Sequence, residues 1–399
     1  MDITLTVTYF AILLGLGVLI ANKLKKSNIP DAIFLILLGL ILGPTVFANP
    51  AIKQVINLTL VDVSVMGAVP DFLRILALIL IVFTGTFGLS YKAFKRFSEP
   101  SVNLAIGGVL LNTAVLGIVA HFILNLDWIY SFLLAAILSG TSSEVIFPLA
   151  KIFKNSKGAL TILKMESIFN SPLVVILPTL FLTFIVPGAL LNPLQYANQF
   201  WQMIAAGIGT GLIIGFAAAK LLKGMLREYT PLLLFAIALI TFALAENIGG
   251  SGMLAVAVAG LISGNIVFPE KQEVKAFDDH LSEMLRISVF TLLGAQIIFS
   301  LSLTQIGTVL LFFAIILLFR PVMISLILRK NFKNMPTDEK VVLSFVAPKG
   351  LTAAAIAPIV TSIVSIAQPE LANNIINIVF LIIILSIAAS TAIAKAISK

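Results

Sequence analysis

Residues 128–150 read WIYSFLLAAILSGTSSEVIFPLA, and residues 341–362 read VVLSFVAPKGLTAAAIAPIVTS. Both runs are long and apolar enough to cross a bilayer, because roughly 20 apolar residues span about 30 Å of hydrocarbon. Each is interrupted at its middle. The first is broken by Ser139, Gly140, Thr141, Ser142, Ser143 and Glu144, with Pro148 beyond; the second by Ala347, Pro348, Lys349, Gly350, Leu351 and Thr352, with Pro358 beyond. Unwound backbone at membrane depth is tolerated only where protein buries it or where it lines a cavity. Broken helices in matching positions of two halves therefore point to the substrate site of a carrier.

The rest of the 399-residue chain belongs with these two runs. It is 59% hydrophobic and 11% charged, with a mean hydropathy of +1.11, whereas about a quarter of residues are charged in soluble domains. This composition argues against a membrane-tethered soluble enzyme, a nucleic-acid binder and a secreted disulfide scaffold. With no cysteine, disulfides, thiolate metal sites and thiol catalysis are removed together. Apolar runs set against polar or Gly/Pro breaks predict thirteen membrane helices, near 3–22, 31–47, 69–90, 101–124, 128–150, 159–186, 199–222, 230–246, 248–267, 283–302, 304–328, 341–362 and 372–394. No small-residue cleavage site follows Lys23, Lys25 and Lys26, so the first run reads as a retained helix.

An odd number of spans puts the termini on opposite faces, and the basic residues test that. With the N-terminus outside, the cytoplasmic links and the C-terminal end carry 20 of the 26 Lys and Arg; the others are Lys53, Arg74, Lys164, Arg286, Arg320 and Lys349. The net charge of +8 then reflects this bias, and the expected contacts of the basic links are anionic membrane lipids, not nucleic acid. The mixed-charge link 268–282 reads as a solvated connector. A multi-pass protein of a prokaryotic plasma membrane is expected, with its C-terminus cytoplasmic.

Two matches suggest an inverted repeat. Leu73-Arg74-Ile75 opens the third span and Leu285-Arg286-Ile287 the tenth, in opposed orientation, and the two broken spans, the fifth and the twelfth, correspond at a similar offset.

Well inside the spans lie two carboxylates, Glu144 and Glu166, and three bases, Lys164, Arg320 and Lys349. Each buried charge costs at least ~2.5 kcal/mol on insertion scales, so such groups pair, line water or work. Glu166 with Arg320 reads first as an ion pair that fixes packing. Glu144 reads as a cation ligand, with free carbonyls and the hydroxyls of Thr141, Ser142 and Ser143 replacing a hydration shell. Lys349, in the opposed break, could balance helix C-termini or compete with a cation for the carboxylate. Lys164 lies near enough to a helix end to snorkel. Glu166 to Asn170 and Ser167 to Ser171 are i,i+4 steps on one face. His121 and His280 show no metal-ligand spacing, and there is no catalytic triad and no GxxxxGK[ST] loop. Neither enzymatic activity, ATP drive nor any cofactor is expected. Gly207, Gly209, Gly211 and Gly215 suit close helix packing.

The segment from Gly140 to Leu173, which opens GTSSEVIFPLAKIF and closes MESIFNSPL, resembles the fifth and sixth helices of the monovalent cation:proton antiporters, the sodium/proton exchanger superfamily. In that family a T-D-P break precedes an E-S-x-x-N-D helix, and the spacing from Thr141 to Glu166 fits. SGMLAVAVAGLISGN at 251–265, GTFGL at 85–89, Arg320 and PKG at 348–350 match further family features, so the resemblance covers nearly the whole chain. It implies an all-α polytopic membrane protein with thirteen transmembrane helices, inverted repeats and two broken crossing helices, working as a homodimer by alternating access. The expected division is an ion-translocating core at 69–186 and 283–399 and a dimerisation scaffold at 1–68 and 187–282.

The family's ion and proton compete for the aspartate of the N-D pair. By resemblance the assisting positions are Thr141, Ser167 and Glu166, with Asn170 as the N of the pair. Here Ser171 stands where the N-D aspartate is expected and Ser142 where the T-D aspartate is expected. Two readings stay open: the titrating carboxylate is Glu144, with the cation at Glu144, Thr141 and Ser171, or it is Glu166, shielded by Arg320. The expected activity is exchange of a monovalent cation, foremost Na+, for H+. The alternatives are a carrier of another substrate such as K+, or a transport-inactive sensor or regulator, which Ser142 and Ser171 favour.

Overall fold

The structure is a computed structural model that describes residues 2–24, 30–47, 61–142, 145–146, 156–185, 193–222 and 229–397. Among these, all regular structure is helical: α1 (Ile3–Leu24), α2 (Ala32–Leu42), α3 (Pro44–Phe47), a 3-10 turn at Val63–Met66, α4 (Val69–Phe87), α5 (Tyr91–Leu124), α6 (Trp128–Ile137), α7 (Lys157–Thr183), α8 (Pro193–Leu221), α9 (Thr230–Asn247), α10 (Gly252–Gly264), α11 (Lys271–Gln296), α12 (Leu303–Lys333), α13 (Thr337–Phe345), α14 (Leu351–Ser365) and α15 (Pro369–Ile397). Eight of the described helices are long and apolar enough to cross a membrane, and α2, α6, α10 and α14 are shorter apolar helices. Each expected span falls on one of these helices or on a pair, with 341–362 divided between α13 and α14, except that α6 covers only the first part of 128–150, of which residues 143–144 and 147–150 lie outside the described residues.

One expectation fails. The link 268–282 is not a solvated connector, because α11 already begins at Lys271 and buries Val274 and Asp278. Its charges mislead as a composition, since Glu273, Lys275 and Asp279 are exposed while positions 274, 278 and 285 form one buried stripe at helical spacing.

The helices carrying the LRI match, α4 and α11, run antiparallel side by side. Arg74, near the start of α4, donates to Gln296 at the end of α11 (2.6 Å), while Thr84 and Ser282 lie 3.4 Å apart toward the other ends. The match extends to chemistry: Arg74 pairs with Asp71 three residues before it, and Arg286 pairs with Glu283 three residues before it. Arg286 also grips Asp31, ahead of α2, through two 2.8 Å hydrogen bonds.

Small residues weld some helices backbone to backbone. Gly39 of α2 lies against the Thr291 carbonyl of α11, and Gly294 of α11 lies reciprocally against the Ile36 carbonyl of α2. Gly264 of α10 meets the Phe87 carbonyl of α4, and Gly207, Gly211 and Gly215 of α8 meet Ser251, Ala255 and Ala259 at and beyond the start of α10; Gly209 faces open space. A Cβ at any of these contacts would push a neighbouring helix away. The described helices thus form two groups by packing: α1, α2, α4 and α8–α11 in one, and α5–α7 with α12–α15 in the other. The broken segments lie in the second group, where α14 and α7 face α4 and α11 of the first.

Candidate functional site

The polar interruptions act as the chain's own chemistry dictates. α6 ends at Ile137, with the Leu138 N–H still bonded to the Leu134 carbonyl, and Gly140–Ser142 continues without helix. α13 ends at Phe345; residues 346–350 lie outside any helix and include Pro348, which has no N–H to continue a helical ladder. The two unwound strands cross. Ser142 N–H donates to the Pro348 carbonyl (2.9 Å), and Leu351 N–H donates to Ser142 Oγ (3.3 Å). A Cβ on Gly350 would collide with the Ser142 side chain, so glycine is required by the closeness of the crossing. Lys349 N–H reaches Ser386 Oγ on α15 (2.9 Å), and Asn112 of α5 donates to the Ser139 carbonyl (3.3 Å). Backbone groups freed by unwinding thus find partners within the protein, as the membrane interior requires.

Charge is matched in the same way. Lys349 Nζ donates to the Gly140 carbonyl at 2.9 Å, placing a cation at the buried C-terminal end of α6, where the helix dipole favours it. Alongside, α7 presents Glu166, Ser167, Asn170 and Ser171, all buried. Arg320 of α12 holds Glu166 through Oε2 (3.0 Å) and Oε1 (3.4 Å from both terminal nitrogens), and its Nε donates to the Leu343 carbonyl (3.2 Å). The Ser167 and Ser171 hydroxyls donate back along α7, to the Lys164 carbonyl (2.9 Å) and the Ser167 carbonyl (2.6 Å).

Asn170 links the helix to the crossing. Its amide nitrogen donates to Thr141 Oγ1 (3.0 Å), while its Oδ1, in a residue only 2% exposed, has no hydrogen-bond donor among the described residues. A buried acceptor without a donor is costly, and beside a hydroxyl oxygen and unwound carbonyls it has the chemistry of a monovalent-cation ligand. Among the described residues there is no group of three His, Asp or Glu able to hold a metal ion.

Of the residues read from the sequence, Thr141, Ser142, Asn170 and Lys349 meet at the crossing, and Glu166 and Arg320 pair beside them. Ser167 and Ser171 lie on the same buried stretch of α7. Ser143 and Glu144 lie outside the described residues. Asn112, Ser386 and Ser390 escaped the sequence reading; with Arg320 and Lys349 they help line a cavity of about 20 Å3, room for one water. Their only signal was polarity in apolar runs, shared with residues that simply bond their own helix. The His121 ring stacks on Trp128 at 3.9 Å and its Nδ1 lies 2.7 Å from the Leu126 carbonyl.

Comparison with known proteins places this geometry. A family model described as sodium/hydrogen exchanger, transmembrane, matches residues 9–396. Over its whole length the chain is 29% identical to a probable Na(+)/H(+) antiporter 2 of Methanocaldococcus jannaschii, covering 98% of that protein. It is 25% identical to the K(+)/H(+) antiporter NhaP of Alkalimonas amylolytica, over 87% of this chain and 59% of that one. Its fold matches the structure of the sodium proton antiporter MjNhaP1 from Methanocaldococcus jannaschii at pH 8 with a TM-score of 0.85 and 25% identity, covering 100% of this chain and 99% of that chain.

Proposed function

The chain belongs to the sodium/hydrogen exchanger family, and on that premise we propose that it exchanges Na+ for H+ by alternating access, with the cation bound where the two unwound segments cross. It is a multi-pass membrane cation:proton antiporter. The observation that carries the site is the Asn170 Oδ1 beside Thr141 at the crossing, which has no donor among the described residues: a cation supplies the positive partner that those residues do not. Ser142 and Ser171 complete a neutral oxygen set, and Glu144 and Ser143 extend it along the same broken segment. Glu166 and Arg320 fix the electrostatic background, and Lys349 balances the open end of α6.

The moving core in this reading is α5–α7 with α12–α15, and the scaffold is α1, α2, α4 and α8–α11. Glycine contacts that join α4 to α10 and α2 to α11 favour drawing the boundary so that α4 and α11 travel with the scaffold, not with the core expected from the repeat. The scaffold is the surface for a homodimer, the basic links face the cytoplasm and anionic lipid, and the N-terminus lies outside a prokaryotic plasma membrane. No bond is made or broken, and the protein is not an enzyme.

The test is cation-driven proton movement in proteoliposomes holding an internal pH dye, with Na+ and K+ compared, for wild type beside Asn170→Ala and Glu144→Gln. Proton movement with Na+, weakened at least about tenfold in Asn170→Ala, a loss equivalent to about 1.4 kcal/mol of cation binding, is the expected result. Movement with K+ alone would assign the substrate of the K(+)/H(+) relative instead. Silence with both cations in a folded protein would favour a sensor that has kept the fold without transport.

A further inference from the structure

The chain passes between the two packing groups three times, from α4 to α5, from α7 to α8 and from α11 to α12. The passage from α7 to α8 includes residues outside the described ones. The other two leave the antiparallel pair α4 and α11, so they lie at opposite ends of it, and they are built alike. At the first, Asn265, just past α10, holds the link with one carboxamide: its Nδ2 donates to the Leu89 carbonyl (2.9 Å) and its Oδ1 accepts the Tyr91 N–H (2.7 Å). At the other, Thr45 of α3, just past α2, does the same with one hydroxyl, donating to the Ile297 carbonyl and accepting the Phe299 N–H (3.1 Å). Each side chain ties the carbonyl of one residue and the N–H two residues on.

The likeness extends to the glycine nearby. A Cβ on Gly264 would strike the backbone of Phe87, and one on Gly43 the backbone of Ala295, in each case two residues before the tied carbonyl. The supports also correspond, because α10 packs on α4 as α2 packs on α11. An amide or a hydroxyl donates and accepts at once, whereas a carboxylate, an ammonium or an aliphatic chain cannot tie both atoms. Beyond each tie the other group of helices takes hold. Ile298, between the two tied residues, gives its carbonyl to Asn377 of α15 (3.0 Å), and the Leu89 side chain is buried in a cluster with Met165 and Ile168 of α7.

We infer that Asn265 and Thr45 are positioning residues for transport: each pins the point where the chain leaves the scaffold, and the core turns about these two pins without breaking them. This rests on the reading of α4 and α11 as scaffold and of α5 and α12 as moving core. The reason is mechanical. A pinned link passes the displacement of the core on to rigid helices, whereas a free link absorbs it in its own φ and ψ.

Turnover and affinity separate this role from a merely structural one. In proteoliposomes Asn265→Leu and Thr45→Val, which roughly keep side-chain size and lose both bonds, should each lower kcat about tenfold, equivalent to about 1.4 kcal/mol of barrier. The apparent affinity for Na+ should stay within about twofold, because the lost interactions do not touch bound cation. Thr45→Ser, which keeps the hydroxyl, should keep wild-type turnover. A covalent pin supplies a second arm, with no native cysteine to interfere. Ser90 is exposed and Ile298 is 52% exposed, so Asn265→Cys with Ser90→Cys, and Thr45→Cys with Ile298→Cys, are open to bridging by a short bis-maleimide. Each pair should be slow when open and regain turnover when bridged. Faster turnover in Asn265→Leu or Thr45→Val, or exchange stopped by either bridge, would make the ties locks that open during the cycle and overturn the proposal. Unchanged turnover, or a loss of affinity in its place, would overturn it as well. The alternating-access reading fails separately: a disulfide between Gly85→Cys and Ile168→Cys, across the two bodies, would then leave exchange running.

Discussion

Glu166 and Arg320 bury opposite charges with side chains only 3% and 6% exposed. Removing one partner from such a pair leaves an uncompensated charge and costs about 3–5 kcal/mol, whereas replacing both by apolar groups of similar size is often neutral. Arg320→Ala should therefore lower the melting temperature in detergent steeply, while Glu166→Leu with Arg320→Met should recover most of it. Recovery of transport along with stability would reduce the pair to packing; loss of transport alone would give it an electrostatic role in the site. A second residue-scale prediction concerns Asp278, on the part of α11 before the span. Burial, with Asp279 beside it, pushes this carboxyl up to about 7, and among the described residues neither oxygen has a donor. An unfolded aspartate titrates near about 3.9, so between these values the folded state binds more protons and stability falls as pH rises toward about 7. Asp278→Asn should stabilise the protein by on the order of 1–3 kcal/mol near pH 8 and by less near pH 5, measured by thermal unfolding at both. The pairing of Glu166 with Arg320 was legible because intramembrane charges are few and need partners; the burial of Asp278 was not, because a run of alternating charges has the composition of solvent-exposed chain.

At the scale of elements, glycine decides which helices can slide. Gly294 and Gly39 bring α11 and α2 into backbone contact, and a methyl group at either position must separate the pair. Gly294→Ala is expected to destabilise by about 1–3 kcal/mol, the range for overpacking a dense interface, while Gly209→Ala, which faces open space, should be neutral; melting temperatures of the two variants check this. Both helix breaks were legible from sequence, because small polar residues, Pro348 and Gly350 interrupt otherwise continuous apolar runs. The early start of α11 was not, since its buried stripe of Val274, Asp278 and Leu285 includes a charge. Nor was the polar company of Lys349, because Asn112 and Ser386 come from helices distant in sequence and only the folded bundle brings them to the crossing.

For the whole molecule, transport by moving one body past another predicts that a covalent tie across the boundary stops it. Gly85 of α4 faces Ile168 of α7, with a Cβ at Gly85 falling 3.1 Å from the Ile168 side chain. With no native cysteine to interfere, Gly85→Cys with Ile168→Cys should, when oxidised, abolish exchange and regain it on reduction. Thr84→Cys with Ser282→Cys, joining α4 to α11 within the scaffold, should leave exchange running in both states; flux with and without reductant distinguishes the two. The sequence by itself determined that this chain lives in a membrane, where two of its apolar runs break and which family it resembles, because hydrophobic length, Gly/Pro punctuation and the scarcity of buried charge are local properties. Only the tertiary structure decided that the breaks cross, that Asn170 is left, among the described residues, with a donorless oxygen beside Thr141, that Lys349 rests on a carbonyl, and that α4 packs against α10 and α11 against α2. Those depend on which distant residues become neighbours, and in an apolar solvent that choice is made by close packing of small residues and by satisfaction of the few polar groups, not by hydrophobicity, which is nearly uniform along the chain.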